Sequence, residues 1–166
     1  MISLILAIDD KGGIGKNNSL PWPHNKEDME FFKNITNQKT ILMGKNTWKS
    51  LPKKPLPNRL HYIFTTDLMF PTSHVIKRVT TDDVSGWITK YDSLHPDEEL
   101  MIIGGVSLVE QSKSIIDKIY LTKIHGDFDC DVFLDLTLLS NFVKIYNNTT
   151  DECTFNIYKR IDRNMI

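Results

Sequence analysis

Asp28 is the residue whose type and position in this sequence point most directly to chemistry. Apolar spacing predicts a short helix that begins after Asn25, and at roughly 100° per residue one arc of that helix is apolar. Asp28 lies in the middle of this arc, whose other members are Met29, Phe31, Phe32, Ile35 and Thr36. Because a carboxylate is costly to bury without a partner, we interpret Asp28 as a functional acid. The alternative is a role as the helix N-cap, for which Asn25 competes.

A carboxylate in such surroundings can bind and polarise a nitrogen heterocycle. Desolvation raises the pKa of the acid, whereas a hydrogen-bonded cationic or amide-like ligand favours its charged form. The segment before the helix reads as a loop, because Gly13 and Gly15 allow unusual backbone conformations and Pro21 and Pro23 flank Trp22. The sequence therefore predicts a glycine-flanked loop that leads into a helix carrying an acid.

Two other turns have the composition of phosphate-binding sites. Residues 44–47 (GKNT) and 104–107 (GGVS) each lead from a predicted strand into a predicted helix, where unpaired amides and the helix dipole favour anions. Either turn alone is more often structural, but two of them after neighbouring strands suggest a crevice for one pyrophosphate. The P-loop pattern and the dinucleotide fingerprint both fail in GGIGKNNS, because Asp10 and Asn18 stand where those patterns need glycine.

The elements that must position these residues alternate between strands and helices. Short apolar runs predict strands at 3–8, 40–43, 60–65, 75–78, 100–103 and 119–124. Predicted helices follow Asn25, Gly44, Thr81 and Gly105, and residues 142–146 and 155–161 read as a closing hairpin. This order predicts an α/β sandwich whose sheet is mostly parallel with an antiparallel end.

Composition limits the class of protein. With 166 residues, 40% of them hydrophobic and 25% charged, the chain is expected to form one globular domain over 1–166. A net charge of -1 argues against a nucleic-acid partner. The absence of a basic leader and of a long apolar run predicts a cytoplasmic protein with no membrane partner. Cys130 and Cys153 form no C-x-x-C pair and the histidines lack zinc-site spacing, so we expect reduced thiols and no metal.

Four sequence blocks occur in an informative order. They are a strand ending at Ala7 followed by IGKNNSLPW and an acid six residues after the tryptophan, MGKNTWKSLPKKPLPNR (43–59), MIIGGVSLVEQ (101–111) and IYLTKI (119–124). In this order and spacing, over nearly the whole chain, they resemble the dihydrofolate reductase family. The resemblance implies a three-layer α/β sandwich with a central, mostly parallel (mixed) eight-stranded sheet and about four helices.

The resemblance also implies a reaction, the NADPH-dependent reduction of dihydrofolate to tetrahydrofolate in one-carbon metabolism. A hydride would pass from C4 of the nicotinamide to C6 of the pterin, and water would deliver a proton to N5. Asp28 would hold the pterin amino group and N3, Thr122 would orient this network, and Trp22 would position the water. Together with Leu20 these are the predicted catalytic residues, and the loop 9–24 would close over the nicotinamide.

The implied substrate pocket is formed by residues that would also pass as ordinary core, so only their joint positions support it. The pterin would contact Ile5, Ala7, Leu20, Asp28, Met29, Phe32, Ile103 and Thr122. The aminobenzoyl part would contact Met29, Phe32, Leu51 and Leu56. By spacing alone PLPNR (55–59) reads as a rigid turn with a solvated arginine, but the resemblance implies that Arg59 binds the glutamate α-carboxylate.

The resemblance implies that NADPH spans both glycine turns, with the Gly104–Gly105 peptide in the cis form. Backbone groups of Ala7 and Ile14 would grip the nicotinamide carboxamide. Lys45 and Thr66 would lie near the 2'-phosphate, and Asn46 and Thr47 near the pyrophosphate. The other predicted cofactor-binding residues are Gly15, Asn18, Gly44, Ser50, Thr65, Ile103, Gly104, Gly105, Val106, Ser107, Leu108 and Val109.

Four residues depart from the common pattern of the family. Lys45 stands where many relatives have arginine, Val109 where bacterial relatives usually have Tyr or Phe, and Val106-Ser107 where Gly-Arg or Gly-Ala is common. We expect an altered cofactor affinity and an intact reaction. The alternatives are a pyrimidine reductase of riboflavin synthesis, which should lack the pairing of Trp22 with Asp28, and a non-catalytic pteridine or nucleotide carrier. Nothing in the sequence forces a dimer, so a monomer is expected.

Overall fold

The computed structural model describes residues 1–16 and 20–161. The strands in these residues are β1 (Ile2–Ile8), β2 (Gly13–Gly15), β3 (Thr40–Gly44), β4 (Leu60–Phe64), β5 (Ile76–Val79), β6 (Leu100–Ile102), β7 (Lys118–Ile124), β8 (Val132–Phe133), β9 (Phe142–Thr149) and β10 (Cys153–Arg160). The helices are α1 (Lys26–Thr36), α2 (Lys45–Ser50), α3 (Val84–Leu94) and α4 (Val106–Ser112). Short 3-10 helices span Lys113–Ile115 and Leu136–Asn141. No helix in the described ranges is long and apolar enough to cross a bilayer.

The two longest helices begin at residues whose side chains cap them. The Asn25 side chain accepts a hydrogen bond from the backbone N–H of Asp28 at 3.0 Å, and the Asp83 side chain accepts one from Gly86 at 3.1 Å. Such caps satisfy backbone amides that have no partner within the helix. Asn25 is therefore the cap of α1, and the carboxylate of Asp28 does not have this role.

Eight strands form one mixed sheet in the order β5-β4-β3-β6-β1-β7-β10-β9. The pairings from β5 through β7 are parallel, and β10 runs antiparallel to both β7 and β9. The eight-stranded, mostly parallel sheet predicted for this chain is confirmed. Because β3, β4, β6, β1 and β7 are parallel, their C-terminal ends share one edge, which is the usual ligand edge of an α/β sheet.

A hydrophobic core covers each face of this sheet. One core contains Leu42 and Ile102 together with Ile88 of α3. The other contains Ile41 and Met43, against which α1 packs its partly buried apolar side chains. Because alternate residues of a strand point to opposite faces, neighbouring residues such as Ile41 and Leu42 belong to different cores. The result is the predicted three-layer sandwich.

The segment predicted to be a loop before α1 also contains a short strand. In this strand, β2, Gly13 lies opposite Phe133 and Gly15 opposite Val132 of β8. The backbone N–H of Asp131 donates to the carbonyl of Gly15 at 2.9 Å, which continues the pairing. Two glycines in three residues have no strand propensity, and the pairing therefore could not be inferred from local sequence. It ties the loop after β1 to the segment after β7.

Candidate active site

Asp28 lies in the first turn of α1, where its side chain is half-buried. Desolvation raises the pKa of the Asp28 carboxyl, and a side-chain hydrogen bond with Thr122 partly opposes this rise. Thr122 is 1% exposed and lies on β7 between Ala7 of β1 and Phe155 of β10. Asp28 and Thr122 thus lie close together, with the acid of raised pKa over the middle of the sheet, and their roles toward a pterin stay predictions.

Trp22 lies in the loop before α1 and forms one wall of the site. Its side chain is 7% exposed and belongs to a cluster with Ile124, Cys153 and Phe155, against which Ala7 and Phe31 pack. The Trp22 ring also meets the ring of Phe128 edge-on, with 6.0 Å between centroids. The tryptophan therefore anchors the end of the loop beside Ala7 and the helix that carries Asp28.

The central strand β1 leaves an opening at its C-terminal end. Leu6 and Ala7 are only half-buried, although β6 and β7 flank β1 on both sides. Because successive residues of a strand point to opposite faces, the exposed surface of Leu6 and Ala7 shows that this strand end is incompletely covered on both faces. The opening is bounded by Asp28 and Thr122 on the β7 side and by the Gly104–Gly105 turn on the β6 side.

Two cavities of the protein lie away from this opening. One, of about 260 Å³, is lined by Phe31 and Glu30 of α1 and by residues of β9 and β10. The other, of about 320 Å³, is lined by Leu121, Lys144 and neighbouring side chains. Neither is lined by Asp28 or by the paired glycines. We assign the site to the opening over β1, because the titratable and amide-rich groups converge there.

The two predicted glycine turns meet at the ends of β3 and β6. The backbone N–H of Gly44 donates to the carbonyl of Gly104 at 3.0 Å. The Gly104–Gly105 peptide is cis, as the resemblance implies, and Gly104 has φ +129°. A Cβ on Gly104 would lie 3.2 Å from Oγ1 of Thr47. Because only glycine suits this backbone and this close approach, the turn keeps a surface of bare backbone beside the starts of α2 and α4.

Lys45 is the first residue of α2 and has an acidic partner. Its Nζ lies 3.1 Å from Oδ2 of Asp67. The register of β3 with β4 pairs Gly44 with Phe64, which brings Lys45 and Thr65 to adjoining strand ends. Thr65 is half-buried and Thr66 exposed. The predicted 2'-phosphate residues therefore lie together, but an acid that sequence reasoning did not single out lies among them.

Arg59 is not the solvated arginine that spacing alone suggested, and that alternative is wrong. The side chain is 7% exposed, and burial lowers its pKa. Its Nε donates to Oγ1 of Thr36 at 2.9 Å, while Nη1 and Nη2 donate to the carbonyls of Pro57 at 2.6 Å and Lys33 at 3.3 Å. The guanidinium is thus held in a fixed orientation against the end of α1. Binding of a carboxylate by it stays a prediction.

The other predicted substrate residues differ in exposure. Ile5 and Ile103 are 4% and 8% exposed and belong to the core on the α1 face. Leu20 and Met29 are 62% and 45% exposed. The half-buried members are Phe32, Leu51 and Leu56. The exposed apolar pair flanks Trp22 and Asp28 in sequence, which is consistent with a surface that a ligand covers.

The remaining predicted cofactor residues fall into three groups. Half-buried residues are Ile14, Gly15, Thr47, Gly105 and Val106, and exposed ones are Asn46, Ser50 and Ser107. Leu108 and Val109 are 4% and 0% exposed and lie in the core on the α3 face. Their side chains offer a ligand little or no surface, so cofactor contact there stays a prediction. Asn18 lies outside the described residues.

Asp9, which sequence reasoning missed, is a buried acid with four hydrogen-bond donors. Oδ1 accepts from the backbone N–H of Lys11 at 2.9 Å and of Gly13 at 2.8 Å, and Oδ2 accepts from the N–H of Phe128 at 3.1 Å and from Cys130 Sγ at 3.3 Å. Burial by itself would raise the pKa of Asp9, but these bonds lower it overall. The only sign of this role in the sequence is that Asp9 directly follows an apolar strand. Two of its four donors, Phe128 and Cys130, lie far along the chain, so local sequence does not predict these hydrogen bonds.

Comparison with known proteins agrees with this arrangement. The family model described as dihydrofolate reductase matches residues 1–160. The chain is 38% identical to the dihydrofolate reductase of Bacillus subtilis over 133 residues, covering 79% of this chain and 73% of that protein. It is 33% identical to dihydrofolate reductase type 9 of Escherichia coli over 147 residues, covering 85% and 80%.

A solved structure shows the same fold. It is the dihydrofolate reductase from Enterococcus faecalis in complex with NADP(H) and RAB-propyl, and it superimposes with a TM-score of 0.80 at 25% identity. The match covers 98% of this chain and 97% of the other.

Proposed function

Because the chain belongs to the dihydrofolate reductase family, and is thereby an NADP-dependent oxidoreductase of folate metabolism, we propose that it reduces dihydrofolate in the opening between Asp28 and the Gly104–Gly105 turn. The observation that carries this proposal is the contact of Asp28 with Thr122. It unites an acid of raised pKa with a buried hydroxyl beside the half-exposed end of the central strand.

Asp28 binds the pterin. Its carboxylate accepts hydrogen bonds from the amino group and N3 of the ring, two neighbouring donors that suit the two oxygens of one carboxylate. Thr122 keeps the carboxylate oriented. Since desolvation raises the pKa of Asp28, the acid takes up a proton more readily than an exposed aspartate. This suits a site where water must protonate N5 while the ring remains bound.

The residues present fit NADPH. The turn at Gly104 and Gly105 leaves backbone surface that a Cβ would fill, next to the hydroxyl of Thr47. Gly44, Asn46 and Thr47 would hold the pyrophosphate, and Lys45 with Thr65 and Thr66 would hold the ribose phosphate. The backbone of Ala7 and Ile14 would hold the carboxamide. When bound, NADPH supplies the hydride.

The loop before α1 excludes water and completes the pocket. The pairing of β2 with β8 fixes Ile14 and Gly15 beside the end of β1, and Trp22 closes the side next to Asp28. Leu20 is exposed and therefore able to cover a bound ring. A dry site strengthens the hydrogen bonds of the carboxylate, because the local dielectric constant falls.

The outer part of the substrate lies along the start of the PLPNR segment. Leu51, Leu56 and Phe32 contact the aminobenzoyl ring, and Arg59 binds the α-carboxylate of the glutamate. The three hydrogen bonds that fix the guanidinium of Arg59 support this role, because a preoriented fork binds a carboxylate in two contacts.

We further propose that residues 1–166 form one domain that acts as a cytoplasmic monomer. Size-exclusion chromatography tests the oligomeric state, and cell fractionation tests the location.

The experiment is to mix the purified protein with NADPH and dihydrofolate and to follow both the loss of NADPH absorbance and the appearance of tetrahydrofolate. We expect NADPH loss that requires dihydrofolate and yields tetrahydrofolate in equal amount. Binding of both ligands without turnover would identify a carrier. Turnover with a ribosylated aminopyrimidine alone would identify a pyrimidine reductase of riboflavin synthesis.

A further inference from the structure

An acid occupies the part of the cofactor site that would receive the adenosine ribose. Oδ2 of Asp67 lies 3.1 Å from Nζ of Lys45, and both side chains are partly exposed, at 40% and 34%. The proposed function uses Lys45 and leaves this acid without a role. Because the ammonium group and the carboxylate cancel, the pair presents no net charge to a ligand.

The position of Asp67 is fixed by the turn that follows β4. Its Oδ1 accepts from the backbone N–H of Met69 at 3.0 Å, and its own N–H donates to Oγ1 of Thr65 at 3.1 Å. The bond from Met69 and the ion pair with Lys45 lower the pKa of Asp67, which is therefore charged at neutral pH. Arg78 brings a positive charge to the same turn, but its guanidinium donates to backbone carbonyls there. A ligand thus meets a fixed carboxylate.

A carboxylate at this place affects the two nicotinamide dinucleotides in opposite ways. A ribose 2'-phosphate carries a charge of about −1.5 to −2 at neutral pH. It would have to share Lys45 with Asp67 and lie beside a like charge. A free 2'-hydroxyl can instead donate a hydrogen bond to the carboxylate, which is how acidic residues recognise NADH in other dinucleotide sites.

We propose that Asp67 determines the dinucleotide selectivity of this protein and makes it weak, so that NADH is bound and used alongside NADPH. The inference rests on the proposed function, because it assumes that the ribose lies beside Lys45 and Thr65. The inference adds to the proposed function a second class of ligand, dinucleotides without the 2'-phosphate, and names the residue that allows them to bind.

The experiment compares the wild type with Asp67→Asn by measuring the dissociation constants of NADPH and NADH through quenching of tryptophan fluorescence. The asparagine oxygen still accepts the bond from Met69, so the turn is retained. We expect the wild type to bind NADPH no more than about tenfold more tightly than NADH. We expect the variant to widen this preference about five- to tenfold, because NADPH binds more tightly and NADH more weakly.

Two further variants make the test specific. Lys45→Gln should weaken NADPH and leave NADH nearly unchanged. Asp97→Asn removes the same charge from an exposed turn before β6, at the other end of the sheet, and should leave both constants unchanged. An unchanged ratio in Asp67→Asn, or an equal change in Asp97→Asn, would overturn the proposal. Because binding is measured without dihydrofolate, a failure of turnover counts against the proposed function alone.

Discussion

The thiol of Cys130 donates a hydrogen bond to Oδ2 of Asp9 across 3.3 Å, and so joins the segment after β7 to the end of the central strand. The same carboxylate accepts from the backbone of Gly13 and Phe128. Since Ile14 follows Gly13 directly, this contact helps to hold the backbone that is proposed to grip the nicotinamide. The buried carboxylate of Asp9 thus stabilises the loop over the site through these hydrogen bonds.

Replacing Asp9 by alanine should destabilise the protein by about 2–4 kcal/mol, because it leaves buried N–H donors without an acceptor. Chemical unfolding at neutral pH measures this. Asp10→Ala is the matched control, since Asp10 is exposed and accepts from the backbone of Gly126, and it should cost less than about 1 kcal/mol.

The contribution of Asp9 also depends on pH. Hydrogen bonds lower its folded pKa below the ordinary value of 3.8, so its stabilising effect is present above 3.8 and is lost as the pH falls through the folded pKa. The acid-induced loss of stability should therefore be shallower in Asp9→Ala. Equal costs for the Asp9 and Asp10 variants would contradict the assigned role.

Gly13 and Cys130 should be strongly coupled. A Cβ on Gly13 would lie 2.3 Å from both Cβ and Sγ of Cys130. Gly13→Ala should thus cost about 1–3 kcal/mol by overpacking. Cys130→Gly makes room for the added methyl group. Combining it with Gly13→Ala should therefore recover at least about 1 kcal/mol of the lost free energy of unfolding. A thermodynamic double-mutant cycle from unfolding measures this coupling, and additive effects would show that the two segments do not pack as described.

Arg59→Lys should raise the KM for dihydrofolate about 10- to 100-fold, because lysine keeps the charge but loses the planar fork. The KM for dihydropteroate, which lacks the glutamate, should stay within about twofold. Steady-state kinetics with both substrates measure the difference. Lys53→Met, an exposed change shortly before the PLPNR segment, should have a small effect on either KM. Parallel increases for both substrates would mean that Arg59 acts only on the fold.

His61 should make the protein less stable as the pH falls below about 6.5. The side chain is 0% exposed, and burial lowers its pKa. Nε2 accepts from the N–H of Leu56 at 3.0 Å, which requires the neutral ring. Because the unfolded chain binds the proton more readily, stability is complete above the ordinary pKa and declines below it.

Thermal unfolding between pH 5 and 8 measures this effect. His61→Phe should remove the slope and cost about 1–3 kcal/mol at neutral pH, since the amide of Leu56 loses its acceptor. His74→Phe, at an exposed position, should retain the slope. A slope that persists without His61 would assign it to another group.

The fold and the centre of the site could be predicted because their signals are local. Apolar runs predicted the strands, and the place of Asp28 on an apolar arc predicted a functional acid whose cap role is taken by Asn25. The ordered blocks of the family resemblance then implied its pairing with Thr122. Each of these features can be predicted from neighbouring residues or from a known spacing of motifs.

The rest depends on contacts between distant segments. Asp9 and Cys130 are unremarkable in sequence, and they become a hydrogen-bonded pair only because β1 and β7 lie side by side. The pairing of Lys45 with Asp67 likewise needs the parallel register of β3 and β4. Local composition therefore does not predict either the contact of Asp9 with Cys130 or that of Lys45 with Asp67.

Asp28→Asn tests the central claim most directly, because it keeps the size of the side chain and removes its charge. At neutral pH we expect turnover of dihydrofolate to fall at least about 100-fold. The folded pKa of Asp28 is raised, so its ionisation weakens the fold as the pH rises through that pKa, and the variant should unfold at the same or a higher temperature. Glu27→Gln, at the exposed neighbouring position, should keep the activity of the wild type.

The decisive measurement is therefore the turnover number of Asp28→Asn with saturating NADPH and dihydrofolate at neutral pH. A loss of about 100-fold or more in a fully folded variant is the result expected from an acid that holds the pterin. Turnover equal to that of the wild type would contradict the account and remove Asp28 from the reaction.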